Sequence, residues 1–126
     1  MSSGFVVICE DDPLLTELLA HRLGRRGYET AVARDGNEAR ALLAKRPPDA
    51  VIMESMLPGH DGHEVLRWIR ENDQLRDLPV IILSARKQDR DIVEALELGA
   101  SDYVTKPFIL DELVARLARL LLSRAG

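Results

Sequence analysis

The residues of this chain best suited to chemistry occupy one recurring position, immediately after a short apolar run. Glu10-Asp11-Asp12 follows Phe5 to Cys9, Glu54 follows Ala50 to Met53, Ser84 follows Val80 to Leu83, and Lys106 follows Tyr103 to Thr105. Carboxylates held close together repel, and such an arrangement becomes sensible when a hard divalent cation such as Mg²⁺ is shared among them. A hydroxyl can donate to a phosphate oxygen, and an ammonium beside it supplies a point charge, so the set suits phosphoryl transfer. Each residue also has an ordinary explanation. Asp12 can cap a helix whose dipole Glu10 and Asp11 complement, Ser84 can cap a loop, and Lys106 can be a snorkelling surface lysine. The specificity lies in the combination of acids after the first and third runs, a hydroxyl after the fourth and a lysine after the fifth.

The elements that must position these groups can be read from pattern. Phe5 to Cys9, Ala50 to Met53 and Val80 to Leu83 are continuous apolar runs rich in Val and Ile, as expected of strands buried on both faces. Tyr28 to Val32 and Tyr103 to Thr105 are shorter candidates, each after a glycine-containing turn. Between them lie helical periodicities over Pro13 to Arg25, Asn37 to Lys45, Glu64 to Glu71, Asp89 to Leu98, and from Leu110 to the chain end. Asp12 is placed to cap the first helix and Pro13 suits its first position. Strands alternating with helices of this length require right-handed crossovers, which give a parallel sheet covered by helices on both faces. The expected fold class is therefore α/β, a three-layer sandwich of five strands and five helices. In such sheets the functional crevice lies at the carboxyl ends of the strands, where the acids, the serine and the lysine stand. No repeat or low-complexity tract interrupts the pattern.

Length and composition bound the function. A chain of 126 residues, 46% hydrophobic, suffices for one domain with a buried core, expected over residues 1–126 with its core at 4–122 and no output domain in this chain. The net charge of −4 argues against a direct nucleic-acid surface. No apolar run approaches the roughly 20 residues that cross a bilayer, and Met-Ser-Ser-Gly has no secretory pattern. The expected location is the cytoplasm. Cys9, the single cysteine, stands among apolar neighbours and reads as a small buried hydrophobe.

The stretches Glu10-Asp11-Asp12-Pro13, Met56-Leu57-Pro58-Gly59 with Asp61-Gly62, Ser84-Ala85-Arg86, and Gly99 to Phe108 together resemble the response-regulator receiver family of two-component signalling. The resemblance runs from about Val6 to Leu122. It implies a flavodoxin-like fold with strand order 2-1-3-4-5 and a switch in a phosphorelay rather than an enzyme. It further implies an Mg²⁺ site made by Glu10, Asp11, the acceptor position Glu54 and the carbonyl of Met56. Ser84 would be the switch hydroxyl, Lys106 the phosphoryl contact, Tyr103 the aromatic that swings between outward and inward positions, and the peptide before Pro107 would be cis. The implied partners are a sensor histidine kinase or phosphotransfer protein and an output domain or regulator. A homodimer through the fourth helix, fifth strand and fifth helix is a further expectation, although Glu94 and Ser101 depart from that subgroup.

Glu54 departs from the family, which carries at this position the aspartate that attacks a phosphohistidine. Its extra methylene moves the carboxylate outward, and because attack needs atoms within about 3 to 3.5 Å, a displacement on the order of 1 Å impairs transfer. The same displacement brings a negative group toward Ser84 and Lys106, so Glu54 is expected to imitate a phosphorylated state. The imitation is partial, since one carboxylate carries one charge where a phosphoryl group carries nearly two. Retention of Glu10, Asp11, Ser84 and Lys106 favours an aspartate replaced in an intact site over long degeneration. Two other readings stand beside this one. A vestigial pseudo-receiver would act as an interaction module, and a small haloacid-dehalogenase-like phosphatase would require Asp-x-Asp after the first strand, which Glu10-Asp11-Asp12 does not supply. His21, His60 and His63 lack metal-site spacing and read as surface residues. Trp68 and Met53 read as packing residues, while Ser55 and Asp61 stand off the acceptor position.

Overall fold

The computed structural model of the protein describes residues 3–125. Its elements are β1 (Gly4–Cys9), α1 (Pro13–Arg25), β2 (Tyr28–Ala33), α2 (Gly36–Lys45), β3 (Ala50–Met53), β4 (Met56–Leu57), β5 (His60–Asp61), α3 (Gly62–Glu71), β6 (Val80–Ser84), α4 (Asp89–Glu97), β7 (Asp102–Thr105) and α5 (Leu110–Ala125). Five strands form one parallel sheet in the order β2-β1-β3-β6-β7. Counted among themselves they run 2-1-3-4-5, the expected doubly wound topology.

Alternation of side chains across the strands divides the core into two layers. Val7, Cys9, Val51, Met53, Val80 and Ile82 face α2, α3 and α4 and pack with Leu43, Leu66, Ile69 and Ala95. Val6, Ile8, Ile52, Ile81 and Leu83 face α1 and α5 and pack with Leu19, Leu23, Leu113 and Leu117. A strand that must satisfy both layers has no polar position, which is why β1, β3 and β6 read as unbroken apolar runs.

Helix starts follow capping chemistry. The Asp12 carboxylate accepts from the backbone N–H groups of Leu14 and Leu15, that of Asp35 from Glu38, and that of Asp61 from His63. Each satisfies a donor that the first turn leaves free. These caps set α2 and α3 one and two residues earlier than hydrophobic periodicity suggests, at Gly36 and Gly62.

The segment after Glu54 departs from the expected loop. Met56–Leu57 and His60–Asp61 pair as an antiparallel hairpin, β4 and β5, turning at Pro58-Gly59 with Gly59 at φ +76. Two residues per strand carry no readable alternation, so sequence pattern cannot reveal them. Immediately after the hairpin, Gly62 packs on the backbone of Glu54 and Ser55. A Cβ there would stand 2.7 Å from the Glu54 carbonyl oxygen and 2.8 Å from Ser55 Cα, so α3 can begin against the end of β3 only because this residue is glycine.

Candidate functional site

Parallel register brings the strand ends together. Cys9 pairs with Met53, Met53 with Ile82, and Ser84 with Thr105. The residues that follow or end these strands, Glu10, Glu54, Ser84 and Lys106, therefore emerge along one edge of the sheet.

Lys106 is the hub. Its Nζ lies 2.7 Å from Glu10 Oε1 and 2.6 Å from Glu54 Oε2. Both carboxylates are buried, with Glu10 3% and Glu54 6% exposed. Their remaining oxygens are also engaged. Glu10 Oε2 accepts from the backbone N–H of Asp12 at 3.0 Å, and Glu54 Oε1 accepts from that of Met56 at 3.2 Å and from Ser55 Oγ at 3.4 Å. Burial drives the Glu10 carboxyl above the usual carboxylate range, against the lowering pull of Lys106. For Lys106, burial lowers the pKa, but the hydrogen bonds to Glu10 and Glu54 prevail and raise it. The Lys106–Pro107 peptide is cis.

Ser84 takes a different place from the one anticipated. Its buried hydroxyl does not reach Glu54. It lies 2.5 Å from Ser55 Oγ and accepts from the backbone N–H of Arg86 at 3.1 Å. Ser55 is fully buried and stands between Glu54 and Ser84. Sequence reasoning set it aside as an unsuitable acceptor and missed this bridging place. No side-chain pattern carried it, because it depends on strand register: Met53 pairs with Ile82, and the same register continued by two residues sets 55 beside 84. Tyr103 is half-buried, and its hydroxyl donates to the Arg86 carbonyl at 2.8 Å. Burial raises its pKa, opposed by the neighbouring Ser84 hydroxyl.

The residues expected to hold a cation stand at the same edge. Asp11 and Met56 are exposed, and among the described residues no three acidic, histidine or cysteine side chains are gathered around one point. Glu54 is drawn to the ammonium of Lys106 instead. The donors at this edge are nonetheless all oxygen, as a small hard cation requires. A side-chain hydrogen bond with Asp11 adds to the rise of Glu10.

The histidines also need correction. His21 is exposed as expected, but His63 is only 7% exposed, with Nδ1 3.5 Å from Glu94 Oε1 on α4 and Nε2 buried without a partner. His60 is partly buried and its Nε2 bonds Asn37 Oδ1 at 3.0 Å, tying the β4–β5 hairpin to α2. Asp61 is occupied as the α3 cap. Met53 is buried, and Trp68 packs partly buried against the core with the Arg40 guanidinium 6.0 Å above its ring.

A family model described as the response regulator receiver domain matches residues 6–118. The chain belongs to the response-regulator receiver family. Solved receivers agree in fold and sequence. The signal receiver domain of a signal transduction histidine kinase from Syntrophus aciditrophicus is 38% identical at a TM-score of 0.89, over 96% of this chain and 92% of that one. The receiver domain of the Francisella response regulator 1452 is 34% identical at 0.89, over 98% and 100%. The receiver domain of the sensor histidine kinase PA1611 from Pseudomonas aeruginosa PAO1 is 30% identical at 0.86, over 95% and 98%, and carries a magnesium ion in its active-site cleft. Receivers are signalling modules that act between histidine kinases and output domains, and this chain is a member of that two-component class. Among the described residues, no helix is long and apolar enough to cross a membrane.

Proposed function

We propose that this receiver signals through the carboxylate of Glu54 in place of a phosphorylated aspartate, as a cytoplasmic switch for an output domain or regulator protein. The carrying observation is the 2.6 Å contact between Glu54 Oε2 and Lys106 Nζ at a buried edge of the sheet. A permanent carboxylate held against this lysine supplies, without phosphorylation, the negative charge that a receiver otherwise gains from its phosphoryl group. The bias is weaker than that of a phosphoryl group, because one charge and two oxygens make fewer contacts, and a ligand or group shifts a conformational equilibrium only by its differential interaction with the two states.

The domain spans the chain as a single receiver and answers to a sensor histidine kinase or phosphotransfer protein. Mg²⁺ bound by Glu10, Asp11 and the Met56 carbonyl would supply further positive charge at this edge, weakened by the share of Glu54 that Lys106 takes. The face formed by α4, β7 and α5 is the candidate for homodimerisation. It carries the exposed apolar residues Val93 and Leu96 and the ion pairs of Arg116 with Asp102 and Glu112.

The test compares the protein with Glu54→Asp, each treated with acetyl phosphate and Mg²⁺, by intact mass and by oligomeric state. The expected result is that only Glu54→Asp gains a phosphoryl group and that, once modified, it assembles as the untreated Glu54 protein does. If neither protein is modified and neither changes assembly, the site is vestigial and the chain is an interaction module.

A further inference from the structure

The switch serine and the acceptor position do not touch, and the gap between them is filled by one side chain. Ser55 Oγ lies 3.4 Å from Glu54 Oε1 and 2.5 Å from Ser84 Oγ, and Ser55 is fully buried, so water does not compete for either contact. Beyond Ser84 the path continues through the backbone of one residue, Arg86, beside a direct contact of the Ser84 hydroxyl with Tyr103. The Arg86 N–H donates to Ser84 Oγ at 3.1 Å, and the Arg86 carbonyl accepts from the Tyr103 hydroxyl at 2.8 Å.

The directions of these bonds are fixed by the ends of the path. A carboxylate only accepts, so Ser55 donates to Glu54. The oxygen of Ser55 is then left to accept the Ser84 proton, and the oxygen of Ser84 to accept from Arg86. One order of donors therefore satisfies the whole path from Glu54 to Tyr103. Such a network is sensitive to its members, because in a buried place each hydroxyl left without its partner pays the cost of desolvation.

We propose that Ser55 is a positioning residue that relays the state of Glu54 to Ser84 and thence, through the Arg86 backbone, to Tyr103. This inference rests on the reading of Glu54 as the driver of the switch. It assigns the connection to a residue outside the acid, hydroxyl and lysine set, and it makes Lys106 the charge partner of Glu54 rather than its messenger. Glu54→Gln replaces the charged acceptor that orients the Ser55 hydroxyl by a weaker neutral amide, and the change propagates to the Arg86 amide.

The experiment is a double-mutant comparison read by NMR. Amide spectra report Arg86, and fluorotyrosine labelling reports Tyr103, distinguished from Tyr28 by Tyr28→Phe. Glu54→Gln is introduced into the Ser55 protein, into Ser55→Ala, and into Ser55→Thr, which keeps a hydroxyl. The expected result is that Glu54→Gln moves the Arg86 and Tyr103 signals with serine or threonine at 55, and that most of this response is lost with alanine, while amides of α1 and α5 keep their positions. A full response in Ser55→Ala overturns the relay and leaves the Glu54 switch intact by another route. No response in the Ser55 protein overturns the Glu54 reading and the relay together. Should Ser55→Ala fail to fold, the unmutated protein supplies the answer. The relay requires slowly exchanging hydroxyl protons on Ser55 and Ser84 that show a mutual Overhauser effect, and a Ser84 hydroxyl that contacts the Glu54 side chain instead refutes it.

Discussion

Replacing Lys106 by methionine retains most of the side-chain stem and removes the one ammonium that stands between Glu10 and Glu54. Each contact, at 2.7 and 2.6 Å, has a gross attraction on the order of 6 kcal/mol at an effective dielectric near 20, largely offset by the dehydration of the ions. What the substitution exposes is the other side of that balance: two buried carboxylates without a counter-charge. Breaking a buried pair in this way costs about 3–5 kcal/mol. The lysine side chain is 24% exposed, so water can enter, and the expected loss at pH 7 is about 2–4 kcal/mol. The loss must depend on pH. In the parent protein Glu10 is already held above the usual carboxylate range, by burial first, and Lys106→Met removes the partner that opposes this rise. A group whose folded pKa is raised contributes stability that is full below its unfolded pKa and is lost as pH rises through the folded one. The variant therefore approaches the parent near pH 4.5 and falls away from it toward pH 7. Urea denaturation of both proteins at steps across this range measures the difference. A gap that stays constant with pH would mean that packing of the lysine stem, not its charge, matters, and the account of Lys106 as the hub of the site would fall.

Three other expectations concern the frame that holds the site. Gly62→Ala places a Cβ 2.7–3.0 Å from backbone atoms of Glu54 and Ser55. Overpacking should outweigh the alanine's helix preference and cost about 1–3 kcal/mol in thermal or urea unfolding, and no loss of stability would show that the α3 start is less tightly seated. Arg70 donates four hydrogen bonds to the carbonyls of Gly99, Arg76 and Leu78. Arg70→Met is expected to lose about 2–4 kcal/mol, with faster amide exchange at Gly99 and Ala100, and Arg70→Lys to recover less than half because an ammonium lacks the planar fork. Burial pushes the Cys9 thiol from 9.0 to about 12. The unfolded chain then sheds its proton first, so about 4 kcal/mol of stability drains away between pH 9 and 12. Cys9→Ala should show a shallower alkaline decline in urea titrations, and an unchanged slope would remove Cys9 from the account.

How much of this was legible in the sequence depends on the range of the physics involved. The strands β1, β3 and β6 announced themselves because a position buried between two helical layers excludes polar side chains, and the Asp12 cap because it acts within three residues; the caps at Asp35 and Asp61 are as local but were not read. The parallel sheet followed once those runs alternated with helices, its strand order came only from the resemblance to receivers, and the placement of Glu10, Glu54, Ser84 and Lys106 at strand ends followed from chain order alone. The β4–β5 hairpin was beyond reach, because two residues give no periodicity. The burial of His63 was equally hidden, since a histidine beside a cap looks the same whether or not α4 covers it.

The sequence by itself determined the composition of the site: which carboxylates, which hydroxyl and which ammonium reach one edge, because strand ends are a local property. Only the tertiary structure decided how they pair. Lys106 reaches both Glu10 and Glu54, while Ser84 meets Ser55 rather than Glu54. Such choices turn on differences of an ångström between groups brought together across a chain separation of up to 96 residues. Distances that small are set by strand register and by the close seating of α3 on the end of β3, neither of which a side-chain pattern encodes.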